Sequence, residues 1–91
     1  MTAFRRLGCS VVSTHQIGHG FPDLVVSQSR HADGEGSRTY LVEVKDGAKS
    51  PSRQRLTADE VEFHAHWRGR IFVVTSVDDV AGVIRSAAME D

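Results

Sequence analysis

Gly20-Phe21-Pro22-Asp23-Leu24-Val25-Val26, followed by Tyr40-Leu41-Val42-Glu43-Val44-Lys45, is the pair of segments on which the reading of this 91-residue chain turns. Leu24-Val25-Val26 and the run 40–44 are β-branched and aliphatic, suited to a pleated surface. Between them, Ala32-Asp33-Gly34-Glu35-Gly36 consists of turn formers. The two runs therefore read as a β-hairpin. The midpoint between positions 23 and 43 is 33, inside the turn, so antiparallel pairing sets Asp23 opposite Glu43.

Alternation along the second strand puts Tyr40, Val42 and Val44 on one face and Leu41, Glu43 and Lys45 on the other. Two carboxylates about 4 Å apart repel by roughly 4 kcal/mol at an effective dielectric near 20. A divalent cation removes that cost. Mg²⁺ is held by few carboxylates together with waters and substrate phosphate oxygens, which suits Asp23 and Glu43. A neighbouring ammonium, Lys45, can then offset charge gathering on a scissile phosphate. The competing reading is a solvated strand edge with a Pro-Asp opener. Against it stands Glu43 inside an apolar run, where a charge is costly without a partner.

These residues carry a resemblance. The segments 20–26 and 41–47, then Leu56-Thr57-Ala58-Asp59-Glu60 running to Phe63-His64 and Trp67-Arg68-Gly69, resemble the VRR-NUC-type nucleases of the PD-(D/E)XK superfamily. The likeness is greatest to the small stand-alone members of bacteriophages and prophages described as Holliday-junction-resolvase-like. It spans about Leu7 to Val80. It implies an α/β restriction-endonuclease-like core with a mixed sheet, an antiparallel hairpin and flanking helices. It also implies that Asp23 and Glu43 bind metal, that the backbone carbonyl of Val44 joins them, and that Lys45 is the catalytic lysine. In one respect the chain departs from the pattern. The family's first helix commonly supplies an acidic residue, whereas no acidic residue precedes Asp23 and only Thr2-Ala3-Phe4-Arg5-Arg6-Leu7 stands before Gly8. Three explanations stay open: a late start relative to the relatives, a metal site with fewer ligands, or weak activity.

Length and composition bound the rest. Ninety-one residues support one modest core, and homodimerisation would bury more apolar surface. With 40% hydrophobic and 25% charged residues the composition is that of an ordinary soluble domain, and no apolar run approaches a membrane span. The start MTAFRRLGCS lacks the apolar stretch of a secretory signal. Cys9 is the single cysteine, so an internal disulfide is excluded and the cytoplasm is the expected compartment. It opens an apolar strand and reads as a small buried residue rather than a nucleophile. A net charge of -1 argues against broad coating of nucleic acid. The distribution is more informative: Lys45, Lys49, Arg53 and Arg55 fall within eleven residues against Asp46 alone. That loop could grip phosphates, with Gln54 beside them, or be simply solvated.

Thr57-Ala58-Asp59-Glu60 is a capping box, flanked by Leu56 and Val61 as a hydrophobic staple. A helix over 58–67 follows, stopped by Gly69, with Val61, Ala65 and His64 toward the sheet. Arg70-Ile71-Phe72-Val73-Val74-Thr75 reads as a buried central strand. Ser76 is the expected N-cap of a last helix, with Asp78 and Asp79 in its first turn and Val80, Val83, Ile84 and Ala87 as its apolar stripe. The order is helix, strand, strand, strand, helix, strand, helix. His64 and His66, two apart on a helix, cannot chelate one ion, and His19 in the loop entering Pro22-Asp23 could touch substrate.

The expected activity is a Mg²⁺- or Mn²⁺-dependent endonuclease on branched or flapped DNA. The alternatives are a catalytically silent nucleic-acid-binding or assembly module, and a nuclease acting on RNA.

Overall fold

In a computed structural model, residues 2–29, 36–47 and 55–89 are described. The elements are α1 (Thr2–Arg6), β1 (Ser10–Ser13), β2 (Leu24–Ser29), β3 (Ser37–Val44), α2 (Ala58–His66), β4 (Ile71–Val74) and α3 (Asp78–Ala88), the order the sequence predicts. They form an α/β arrangement with a four-stranded mixed sheet of order β1-β2-β3-β4. The first two pairings are antiparallel and β3 runs parallel to β4, which it reaches through α2 as crossover.

The β2–β3 register pairs Leu24 with Val42 and Val26 with Tyr40. One step further along that register, Asp23 meets Glu43, as the hairpin midpoint requires. The predicted turn 32–36 lies, apart from Gly36, outside the described residues.

Alternation then sorts the side chains. Leu24, Val26, Tyr40, Val42 and Val74 join Phe4, Cys9, Val80, Val83 and Ala87 in a buried core between one sheet face, α1 and α3. The helical spacing of 80, 83 and 87 supplies α3's apolar stripe, and Phe4 anchors a helix of only 5 residues. Two polar ties fasten α3 from the sheet side. Tyr40 Oη donates to Gln28 Oε1 at 2.6 Å, and Gln28 Nε2 donates to the Ile84 carbonyl at 3.0 Å. Arg38 Nη1 donates to the Ala87 carbonyl near α3's C-terminus, where a cation suits the helix dipole.

Four expectations are corrected. β4 is an edge strand rather than a central one, and Val73 is 44% exposed; β3, with Tyr40 through Glu43 buried in succession, has both faces covered. A short apolar run does not reveal on how many sides a strand is paired. Val61 and Ala65 face outward from α2, which instead directs Phe63 onto Phe21, ring centroids 5.1 Å apart. Ser76 is not the N-cap of α3: Val77 holds that position with no side-chain cap bond. Asp79 Oδ2 instead folds back on the segment entering the helix, accepting the N–H groups of Thr75 at 2.7 Å and Ser76 at 3.2 Å. Gly69 does not end α2 through a left-handed residue. Trp67 is the cap, in extended conformation, and a Cβ on Gly69 would lie 2.7 Å from the Trp67 indole nitrogen.

Candidate functional site

The start of β2 and the end of β3 are adjacent corners of the hairpin, and the site is built there. Asp23 is held by main chain on both sides. Its carbonyl accepts the Thr14 N–H at 2.7 Å, the Thr14 hydroxyl donates to the Pro22 carbonyl at 2.7 Å, and carboxylate Oδ2 accepts the Val44 N–H at 2.8 Å. Thr14 thus aligns the loop that delivers Asp23. It has no motif of its own, and only the β1–β2 register exposes it.

Glu43 projects from the middle of the paired sheet and is 2% exposed. Lys45, two residues on and on the same face, sets its Nζ 3.4 Å from Glu43 Oε1 and donates to Glu60 Oε1 at 2.6 Å. Glu60 is also the last residue of the predicted capping box: its Oε1 accepts the Thr57 N–H at 2.8 Å while its own N–H reaches the Thr57 hydroxyl at 3.2 Å. One carboxylate oxygen therefore serves both a helix terminus and the lysine. Sequence reasoning named Glu60 first as a cap; the capping box is also the signal that turns its carboxylate back toward the strand end.

The electrostatics follow from this crowding. Burial, then a hydrogen bond with Glu60 and the charges of Asp23 and Glu60, push the Glu43 carboxyl up to about 8, with Lys45 working against them. Burial also acts to raise Glu60. Hydrogen bonds from Glu43, Lys45 and the Thr57 main chain, with the Lys45 charge, outweigh it and hold Glu60 well below the ordinary carboxylate range. Lys45 is raised: burial opposes its charge, but the two glutamates more than compensate. Of the two carboxyls Glu43 holds a proton the more strongly, and Glu60 carries the charge that pairs with Lys45.

Among the described residues, no group of three or more His, Cys, Asp and Glu side chains is arranged to hold a metal ion. Asp23 and Glu43 offer two carboxylates. One observation fits a cation beside them: Glu43 Oε2, fully buried, has no hydrogen-bond partner among the described residues. A proton held by Glu43 beside Glu60 offsets the cost of burial without the ion, and a cation would take that proton's place.

The other sequence candidates divide. Arg55 is described and exposed, while Lys49, Arg53 and Gln54 lie outside the described residues. His19 is exposed, with a positive φ of 55°, and lines a pocket on α2 rather than the carboxylate cluster. His66 turns its Nδ1 to its own helix, 2.9 Å from the Glu62 carbonyl. Cys9 is buried with its thiol pushed up by burial, as befits a packing residue. No helix among the described residues is long and apolar enough to cross a membrane.

Comparison with protein-family models, with curated proteins and with solved structures finds no match to this chain.

Proposed function

We propose that the protein is a Mg²⁺- or Mn²⁺-dependent endonuclease that hydrolyses DNA phosphodiester bonds, with branched or flapped DNA as substrate, on a PD-(D/E)XK-type core. The observation that carries this reading is Glu43: a buried carboxylate with one oxygen unpartnered, set opposite Asp23 by strand register and 3.4 Å from Lys45. Asp23, Glu43 and the carbonyl of Val44 would hold the cation. The ion would neutralise charge on the scissile phosphate and acidify the attacking water. Asp23, tied by Val44 and Thr14, keeps its carboxylate in place without reorganisation. Lys45, swung from Glu60 toward the substrate, places a positive charge where the phosphate gathers negative charge. Arg55 at the mouth of α2 adds a salt-sensitive phosphate contact.

A second reading is favoured by the Lys45–Glu60 pair. Lys45 is already paired with Glu60 at 2.6 Å, and the raised Glu43 adds no second full charge beside that pair, as a silent DNA-binding module would require. One assay separates them. Labelled duplex, flap and four-way-junction DNA, with an RNA arm, are incubated with Mg²⁺ or Mn²⁺ and wild-type or Asp23→Ala protein. The nuclease reading expects cleavage by wild type and at least a hundredfold loss in Asp23→Ala. Equal cleavage by the two proteins sinks it, and binding without cleavage supports the module.

A further inference from the structure

Beside the carboxylate cluster lies a second concavity that the proposed chemistry does not use. It is a pocket of about 360 Å³ lined by His19, Asp59, Glu62, Phe63, His66 and Trp67. Its aromatic wall is continuous. Phe21 packs edge-on against Phe63, and Phe63 stacks on Trp67 with centroids 5.4 Å apart and 19° between planes. Trp67 nevertheless remains 43% exposed, so the stack ends on an indole open to solvent. Gly69 makes room for that indole, since a Cβ there would meet its Nε1 at 2.7 Å.

The polar groups select among ligands. Asp59 and Glu62, the latter 3.5 Å from His66 Nδ1, are acceptors that disfavour a phosphate in the pocket itself. The same acceptors suit the exocyclic amino groups of a base, whose flat face would extend a near-parallel stack. A cage for an ammonium group surrounds the charge with rings on several sides, whereas here the exposed ring offers a single face. Histidine and carboxylate side chains here do not converge as a metal group among the described residues.

The pocket and the carboxylate cluster share two supports. Phe21 lies two residues before Asp23, and Asp59 immediately precedes Glu60. Gly20 meets the main chain of that same helical turn so closely that a Cβ would stand 2.2 Å from the Asp59 carbonyl oxygen.

We infer that this pocket stacks one unpaired base of the DNA strand, against Trp67 and between Asp59 and Glu62, while the neighbouring phosphate lies at Asp23 and Glu43. The inference rests on the nuclease reading and names its substrate feature: a strand with a base free to leave the duplex. It supplies a physical reason for a preference for flaps and branches over intact duplex, where every base is already stacked.

Trp67 is the only tryptophan of the chain and reports directly on its own pocket. Binding is measured with Ca²⁺ as the cation, and the DNA is checked to be intact afterwards so that cleavage plays no part, by anisotropy of labelled DNA and by indole emission. A flapped duplex is compared with the same duplex whose flap carries abasic residues, and with an RNA flap to tell the two backbones apart. The base-bearing flap is expected to quench the indole and to bind roughly 5- to 150-fold more tightly than the abasic one, the span of a stacking contribution of about 1–3 kcal/mol. Trp67→Phe should keep the preference and Trp67→Ala should lose it. Equal affinity for base-bearing and abasic flaps, or binding with unchanged indole emission, overturns the inference while leaving the nuclease reading standing. Absence of binding to every oligonucleotide overturns the inference, and lack of cleavage by wild type in the metal-containing assay overturns the nuclease reading on which it rests.

Discussion

Lys45 Nζ and Glu60 Oε1 stand 2.6 Å apart, and that same oxygen accepts the N–H of Thr57 at the start of α2. The first residue past a central strand and the first turn of the crossover helix are thereby locked through one atom. Replacing Glu60 with Ala removes both the helix cap and the lysine's partner. A loss of about 1–2 kcal/mol is expected, and Gln, which keeps an acceptor for Thr57, should lose less. Because the Glu60 pKa is lowered on folding, its contribution is present above the ordinary carboxylate range and lost as pH falls below it. Thermal unfolding of wild type and Glu60→Gln should therefore differ at pH 7 and converge only as pH falls to about 2; a constant difference contradicts the assignment.

Glu43 has the opposite sign. Its carboxyl is raised to about 8, so between the ordinary value of 4.5 and 8 the folded chain holds a proton that the unfolded chain releases. Stability attributable to this group is full below that window and falls as pH rises through it. Glu43→Gln, which keeps the shape and carries no charge, should flatten this slope and raise stability at pH 9 by on the order of 2 kcal/mol. Denaturant titration of both proteins at pH 5 and pH 9 measures it, and parallel pH profiles would refute it.

A cation bound at Asp23 and Glu43 must displace the Glu43 proton. Affinity for Mg²⁺ or Mn²⁺ is expected to rise up to about tenfold per pH unit below pH 8 and to level off above it, with release of up to one proton per ion. Calorimetric titration in buffers of different ionisation enthalpy reads both quantities. Asp23→Asn should abolish binding, and pH-independent affinity would argue that the ion sits elsewhere.

Gly20 has φ +80°, and a Cβ there would stand 2.2 Å from the Asp59 carbonyl oxygen and 2.9 Å from the Glu60 nitrogen. Gly18 has φ +72° with nothing within 4 Å. Alanine at 18 should cost only the conformational penalty, about 1–2 kcal/mol. Alanine at 20 should cost that and more, because α2 must retreat and carry Glu60 away from Lys45. Melting temperatures of the two variants compare directly; equal losses would mean that the loop does not bear on α2.

Much of this molecule was legible along the chain because its signals are local. The midpoint at position 33 set Asp23 against Glu43, and the ladder from Leu24–Val42 to Ser29–Ser37 has that register. The capping box at Thr57 and Glu60 forms as read. Period-two alternation put Glu43 and Lys45 on one face, and a spacing of three and four put Val80, Val83 and Ala87 on another. What failed was whatever depended on a neighbour distant in sequence. Val61 and Ala65 fit a helical stripe, yet Phe63 is the residue that meets Phe21, since the entry loop and not the sheet lies beneath that side of α2. The strand 71–74 reads as central because it is apolar, yet it is paired on one side only.

The sequence by itself determined the order of elements, the hairpin register and the meeting of two carboxylates and a lysine, because backbone periodicity and turn position are properties of adjacent residues. Only the tertiary structure decided that Glu43 is buried with an unpartnered oxygen, that Glu60 closes on Lys45, and that Phe21, Phe63 and Trp67 assemble one aromatic wall. Burial and charge coupling are set by which surfaces the crossover helix covers, and that follows from packing between segments that no local spacing relates.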